Sequence, residues 1–356
     1  MMKKNRTAPF FLPTFFVSMI VLFTGLTCYA ADKQGLVRRC EASEGSKGIL
    51  VEQNVALKSP VWCGENAFVI TNETLGVRWV DFLNKKVVTI HRDPYVGAVD
   101  CSRDGRWLVY VDTRSSRYDR GTYERLVVDF WRYDFKTGQR QKFAIAQGGG
   151  KWSPDGKKFL FYRSKPRYSM EQPQPKWELV WPKTDGSGEW LADSSGLVII
   201  HNKKIYVERI NEGPIQSFNI DLGYIMDLKV DRLNRIYLIS RLISSDRKRI
   251  EKGLLLRCVM EGDTLECEDA LKRNNQILRY DITPDGKQIV FLEEGNTCAW
   301  YKDGDAEPLC LAQQAVKVNI SPDGKWLAFV RHRKIGEQSG VDIVESDLFV
   351  TKFESK

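Results

Sequence analysis

The side chains that could do chemistry are few and scattered. The histidines are His91, His201 and His332, too far apart in the chain to suggest a shared site. His201 falls at the end of an apolar run and His332 in a basic turn, which are structural or surface positions. The eight cysteines include no Cys-x-x-Cys pair, so zinc-ligand spacing is missing. There is no Gly-x-Ser-x-Gly elbow, no His-Glu-x-x-His and no phosphate loop. Four aspartates recur in one context: Asp104, Asp155, Asp285 and Asp323, each directly before a glycine. Such carboxylates can hold a metal or work in pairs. Beside Gly, however, an Asp usually hydrogen-bonds its own turn, and that is the reading adopted. No cofactor, metal or catalytic residue is expected.

What positions those aspartates is a repeat. Cys101-Ser-Arg-Asp-Gly-Arg-Trp, Ser153-Pro-Asp-Gly-Lys-Lys-Phe, Thr283-Pro-Asp-Gly-Lys-Gln-Ile and Ser321-Pro-Asp-Gly-Lys-Trp-Leu each precede an apolar, β-rich run. Weaker echoes start at Cys63, Asp193 and Asp231. With Cys63, Ser102, Ser153, Asp193, Asp231, Thr283 and Ser321 as markers, the spacings are 39, 51, 40, 38, 52 and 38. A unit near forty residues is the period of a propeller blade. Pro-Asp-Gly forces a reversal, an apolar strand follows, and helical periodicity over ten or more residues is missing. The pattern predicts an all-β, seven-bladed β-propeller of four-stranded antiparallel blades over 61–356, or six blades if the degenerate fourth unit is not one. In each blade, strands A to D run outward from a central channel. Residues 61–63, 98–101 and 316–320 are expected to line it. The last unit runs out of chain after its third strand, beside 346–353. An N-terminal strand from 48–57 or 35–40 is therefore expected to complete it and close the ring.

The Ser-Pro-Asp-Gly-Lys motif with a following aromatic resembles the TolB-type propeller repeat. The resemblance runs from about Val61 to the C-terminus and is strong in three units. It implies fold and says little about activity. TolB-type chains carry an α/β domain ahead of the blades, and only about thirty residues stand between the leader and the first marker here. The chain thus resembles the propeller part alone.

Residues 1–31 read as a secretory signal peptide: Lys3, Lys4 and Arg6, an apolar run, then Ala30 and Ala31. Residues 32–60 form an N-terminal segment. Removing the leader takes three cations and lowers the formal charge from +8 to +5. No later run is long enough to span a bilayer. Export implies a periplasmic or secreted protein, with disulfides as the default use of cysteine. A Gly262-Asp263 turn sets Cys258 opposite Cys267, and an Asp303-Gly304-Asp305 turn sets Cys298 opposite Cys310. Cys63 and Cys101 hold near-equivalent places in neighbouring units and form the third expected pair.

Charge is unevenly spread. Insertions at 112–125, 163–176, 241–252 and 331–341 all fall between strands B and C, and carry +1, +3, +3 and +2. The remainder of the chain without its leader carries −4. In a propeller the B–C loops share one face with the D–A connections. Clustered cations draw acidic partners, and Tyr and Arg anchor interfaces. The expected binding face therefore comprises Arg117, Tyr118, Arg120, Tyr123, Arg167, Tyr168, Arg247, Lys248 and Arg249. These features point to an exported, non-enzymatic propeller that binds a protein or an anionic envelope component. Nucleic acid is a poor candidate for an exported chain. The alternative is a glycan- or peptide-processing enzyme with acidic residues at the channel mouth. An enzyme would show convergent buried carboxylates at the strand-A ends, a binding module a wide Tyr/Arg surface.

Overall fold

The computed structural model describes residues 49–352 except 54–59, 73–74, 94, 120–124, 148, 162–166, 169–177, 181, 184–185, 202, 211, 220–223, 244–249, 272–276, 294–296, 303–308, 313–314 and 339–340. Residues 1–31, expected to be a signal peptide, and Cys40 lie outside the described residues.

The described chain is built from 28 strands in seven sheets that follow one another in sequence. β1 (Ile49–Glu52) belongs to the last of them. The first sheet is β2 (Val61–Trp62), β3 (Ala67–Asn72), β4 (Gly76–Asp81) and β5 (Lys86–His91). The second holds β6 (Val96–Cys101), β7 (Trp107–Asp119), β8 (Arg125–Asp134) and β9 (Arg140–Ala146). The third has β10 (Gly150–Trp152), β11 (Lys158–Phe161) and β13 (Glu178–Val180), while β12 (Arg167–Tyr168) leaves it. The fourth is β14 (Ser187–Trp190), β15 (Gly196–His201), β16 (Lys204–Arg209) and β17 (Glu212–Asn219). The fifth is β18 (Tyr224–Val230), β19 (Ile236–Ile243), β20 (Ile250–Glu261) and β21 (Thr264–Asp269). The sixth is β22 (Ile277–Ile282), β23 (Gln288–Glu293), β24 (Thr297–Lys302) and β25 (Leu309–Ala312). The seventh runs β26 (Ala315–Ile320), β27 (Trp326–Gln338) and β28 (Val341–Lys352), with β1 on its outer edge.

Five sheets thus have the four antiparallel strands expected of a blade, and two depart from it. In the third, β13 pairs with β11 in parallel. No strand lies between them among the described residues. A strand leading to the next A strand must run toward the face where that strand begins, as β11 does, so their pairing is parallel. β12 instead lies beside β9 as a fifth strand of the second sheet, with Arg167 opposite Ile145 and Tyr168 opposite Ala144. This corrects the reading of 163–176 as a simple projecting loop.

The turns explain the repeat. Ser102 Oγ donates to Asp104 Oδ1 at 2.5 Å, while the Trp107 amide donates to Ser102 Oγ at 2.8 Å. The pattern recurs from Ser153 to Asp155, Thr283 to Asp285 and Ser321 to Asp323, at 2.5–2.6 Å. Each aspartate also accepts the amide two residues on. Burial opposes ionisation of Asp155, Asp285 and Asp323, yet the hydroxyl and amide donors outweigh it and hold them below the usual carboxylate value. The repeated aspartates are turn residues.

Two cysteine pairs are bonded, Cys63–Cys101 and Cys258–Cys267, the latter directly opposite in register. The third expected register is offset: an irregularity after Cys298 sets Cys298 opposite Ala312 and Cys310 opposite Ala299. The side chains of Cys298 and Cys310 are outside the described set. Between sheets, apolar side chains interlock. Phe68 and Ile70 of the first share a cluster with Ala328, Val330, Leu348 and Val350 of the last. Trp62 Nε1 donates to the Asn319 carbonyl at 3.1 Å, and Asn319 Nδ2 to the Pro60 carbonyl at 2.8 Å.

Glycine in these turns has positive φ, +66° at Gly286 and +69° at Gly156. A Cβ at Gly156 meets nothing within 4 Å, whereas one at Gly286 runs into the Asp231 carboxylate, Arg235 and the Tyr237 hydroxyl. Gly156→Ala should cost only the left-handed backbone strain, about 1 kcal/mol. Gly286→Ala should cost at least twice that in urea unfolding, because it also displaces the buried Asp231–Arg235 pair. Equal losses would show that the clash is relieved without disturbing that pair.

Candidate functional site

The A strands converge on a central cavity of about 740 Å³. Val61, Trp62, residues 98–101, Asn319 and Ile320 line it, as expected from the repeat. The hydrogen bonds of each turn set the alignment. Leu191, whose amide bonds the Gly196 carbonyl, stands where Ser102 stands, with Ser194 at φ +61° in place of Gly105. The marker in the fourth unit is therefore Leu191, not Asp193.

With this alignment, one layer of the channel becomes visible. Two residues before each turn come Val61, Asp100, Lys151, Glu189, Lys229, Asp281 and Asn319, and all seven line the cavity. Acid and base alternate across five consecutive sheets. Lys151 Nζ pairs with Glu189, and Lys229 Nζ with Asp281 Oδ1 at 3.2 Å. Asp281 also accepts the Ile282 amide at 3.0 Å and the Ile320 amide of the next sheet at 2.7 Å. Asp100 makes the same two bonds, from Cys101 at 2.9 Å and Trp152 at 2.8 Å. These aspartates bridge neighbouring A strands. Trp190 Nε1 does so too, donating to the Lys151 carbonyl at 3.0 Å.

Electrostatics follow from the layer. Burial works against the Lys151 ammonium, but the facing Glu189 outweighs it and raises its pKa. The Asp281 charge raises Lys229. Asp100 has no ammonium within ion-pair distance among the described residues. Burial therefore dominates there and lifts its carboxyl to about 6, against the pull of Lys151 and two amides.

Carboxylates do converge on the channel, which sequence reasoning offered as the mark of an enzyme. Asp100, Glu189 and Asp281 are nevertheless engaged by lysines or amides. No group of His, Cys, Asp and Glu able to hold a metal occurs among the described residues.

Of the nine residues expected on the binding face, the structure places four by backbone. Arg117 and Tyr118 lie on β7 opposite Val127 and Leu126, and Arg167 and Tyr168 on β12 at the edge of the same sheet. Arg120, Tyr123, Arg247, Lys248 and Arg249 are outside the described residues. Three B–C insertions are hairpins continued past the blade: β7–β8, β19–β20 and β27–β28. Sequence reasoning missed the exposed apolar groups at this end, namely Ile335 and Val344 on the last hairpin and Tyr95, Tyr224 and Met226 where A strands begin. Tyr95 and Tyr224 each stand seven residues before their turn marker, a repeat position that the sequence could have shown.

No family model matches the chain, and no curated protein matches it. Among solved structures it is similar to the β-propeller domain of Cps50 (Swd1) from Myceliophteria thermophila. The identity is 11%, with a TM-score of 0.51 and coverage of 84% of this chain and 99% of that one. It is similar also to a chain in the crystal structure of the mitotic checkpoint complex, at 11% identity and TM-score 0.51, covering 92% and 98%. At such identity the likeness establishes the β-propeller fold alone.

The half-buried Asp100 makes stability pH-dependent. The folded form keeps a proton to about pH 6 that the unfolded chain loses near pH 4. Stability contributed by this group is thus full below pH 4 and lost as pH rises through 6. Relative to wild type, Asp100→Asn should gain up to about 3 kcal/mol between pH 4 and pH 7. Urea unfolding at both pH values checks this, and a constant difference between the two proteins would refute it.

Proposed function

We propose that the chain is an exported seven-bladed propeller, without catalytic activity, that binds a protein or an anionic envelope component through the face bearing its B–C hairpins. The observation that carries this reading is the projection of β7–β8, β19–β20 and β27–β28 past the blades, with Ile335 47% and Val344 45% exposed on the last of them. Apolar side chains held in water on ordered hairpins favour a contact surface. Tyr224 and Met226 at the channel mouth extend it inward. The basic insertions around Arg120, Tyr123 and Arg247–Arg249 supply charge for steering.

Seven blades in a closed ring, with β1 as the outer strand of the last, accord with the pairing of Ile49 to Val350 and with the bonds between Trp62, Pro60 and Asn319. Kinship to TolB-type repeats rests on the Ser-Pro-Asp-Gly turns. Export rests on the leader. The reading that the channel does no chemistry is supported by the engagement of its carboxylates, Glu189 and Asp281 by lysines and Asp100 by two amides.

The test is capture of a partner from envelope extract by the full chain, followed by kinetics on the recovered partner. Ile335→Ser combined with Val344→Ser should speed release about tenfold, the equivalent of losing one small apolar anchor. Arg247→Glu with Arg249→Glu should slow association several-fold at low salt and much less at high salt. Wild-type kinetics for both variants would remove this face from the account.

A further inference from the structure

A second, smaller cavity of about 290 Å³ lies above the charged layer, toward the end where the A strands begin. Its wall includes residues two places nearer that end than the layer itself: Ser187, Asp227, Arg279 and Lys317. Three observations single it out. The Arg279 side chain makes no hydrogen bond or ion pair among the described residues. Arg241 sits beside it, donating only to the Leu278 carbonyl at 3.5 Å, and finds no carboxylate among the described residues either. Burial, then the Arg279 charge, hold the Arg241 guanidinium below its ordinary pKa, as expected of two like charges sharing one corner. Asp227, on the neighbouring A strand, accepts a single bond, from the Leu228 amide to Oδ1 at 2.9 Å. Its other oxygen has no partner among the described residues, and burial raises its pKa.

The lower layer holds two ion pairs, Lys151 with Glu189 and Lys229 with Asp281, whereas the wall above it sets Asp227, Arg279 and Lys317 in one cavity, with Arg241 beside Arg279. A guanidinium fork matches a carboxylate, and a partly buried carboxylate matches an ammonium or N–H. Asp227 and Glu189 in the same wall work against a dianion such as phosphate. The volume is at the low end for ligand pockets, which limits the occupant to a small molecule. The exposed Met226 at the rim offers apolar contact to a side chain.

We propose that this cavity binds a small zwitterion, a free amino acid or dipeptide, with its carboxylate on Arg279, beside which Arg241 adds positive charge, and its ammonium on Asp227. The site shares Met226 with the hairpin face, but its polar groups, Arg279 and Asp227, are not part of that face. A chain that captured its partner through the hairpins yet bound no zwitterion would lose this proposal and keep the other.

The test is calorimetric titration of the full chain with free amino acids and dipeptides, with their N-acetyl and C-amide forms, and with inorganic phosphate. Free zwitterions should bind, and blocking either end should weaken binding at least tenfold. Arg279→Gln should erase the advantage of a free carboxylate but keep that of a free ammonium. Asp227→Asn should do the reverse. Lys136→Gln, an equal charge change at an exposed position on the opposite face, should alter neither. Since the Arg279 side chain makes no hydrogen bond or ion pair among the described residues, its variant should melt with the wild type, separating binding from folding. Three outcomes would overturn the proposal: no binding across the panel, identical preferences in the two variants, or phosphate binding more tightly than any zwitterion.

Discussion

Several A strands deliver a charged side chain to one narrow channel, and a charge withdrawn from water there must be matched. This constraint shapes the centre of the molecule. Lys151 with Glu189 and Lys229 with Asp281 meet it as ion pairs along a layer of alternating sign, while Asp100 meets it only through two backbone amides. Aspartate is short enough to reach the amide of the next strand as well, and Asp100 and Asp281 both do. Irregularities in β6, β18, β22 and β26 occur just before the layer, where an extra residue re-aims the side chain inward. Where the alternation stops, the Asn319 side-chain amide donates to the Pro60 carbonyl and the Trp62 indole to the Asn319 carbonyl in place of ion pairs.

Outside the channel, a different constraint applies. Each sheet has an outer edge with unsatisfied backbone groups, and chain is needed to cover it. β1 covers the edge of β28, and β12 covers that of β9. The second sheet gains its extra strand from the insertion of the third, and the third sheet is left with three strands. Length spent in the other insertions goes into projecting hairpins. Structural demands are thus met at the centre and the edges.

The Ser-Pro-Asp-Gly turns were legible because their chemistry is local: a hydroxyl, a carboxylate and a positive-φ glycine within five residues. Cys258 and Cys267 were legible for the same reason, since a two-residue turn fixes their register. The turn at Cys298 and Cys310 is longer, and an irregularity shifts the register. The charged layer was hidden by one misplaced marker. In the fourth unit Asp193 imitates the motif, while Leu191 occupies its structural position, so Glu189 could not be aligned with Asp100. The exposed Ile335 and Val344 were hidden because an apolar residue in a strand reads as core until its pairing is known. Tyr168 was legible as part of an insertion, but its place beside Ala144 depends on a pairing between units that no local pattern encodes.

The central claim is that the channel charges hold the ring by neutralising one another. A double-mutant cycle on the Lys151–Glu189 pair tests it most directly, with Lys151→Met, Glu189→Met and the double variant compared by urea unfolding at pH 7. Each single change leaves a partly buried charge without its partner. Each should cost about 2 kcal/mol, between the values for exposed and fully buried pairs, and the double variant should recover most of the loss. Additive losses with no recovery, or single variants as stable as the wild type, would contradict the account.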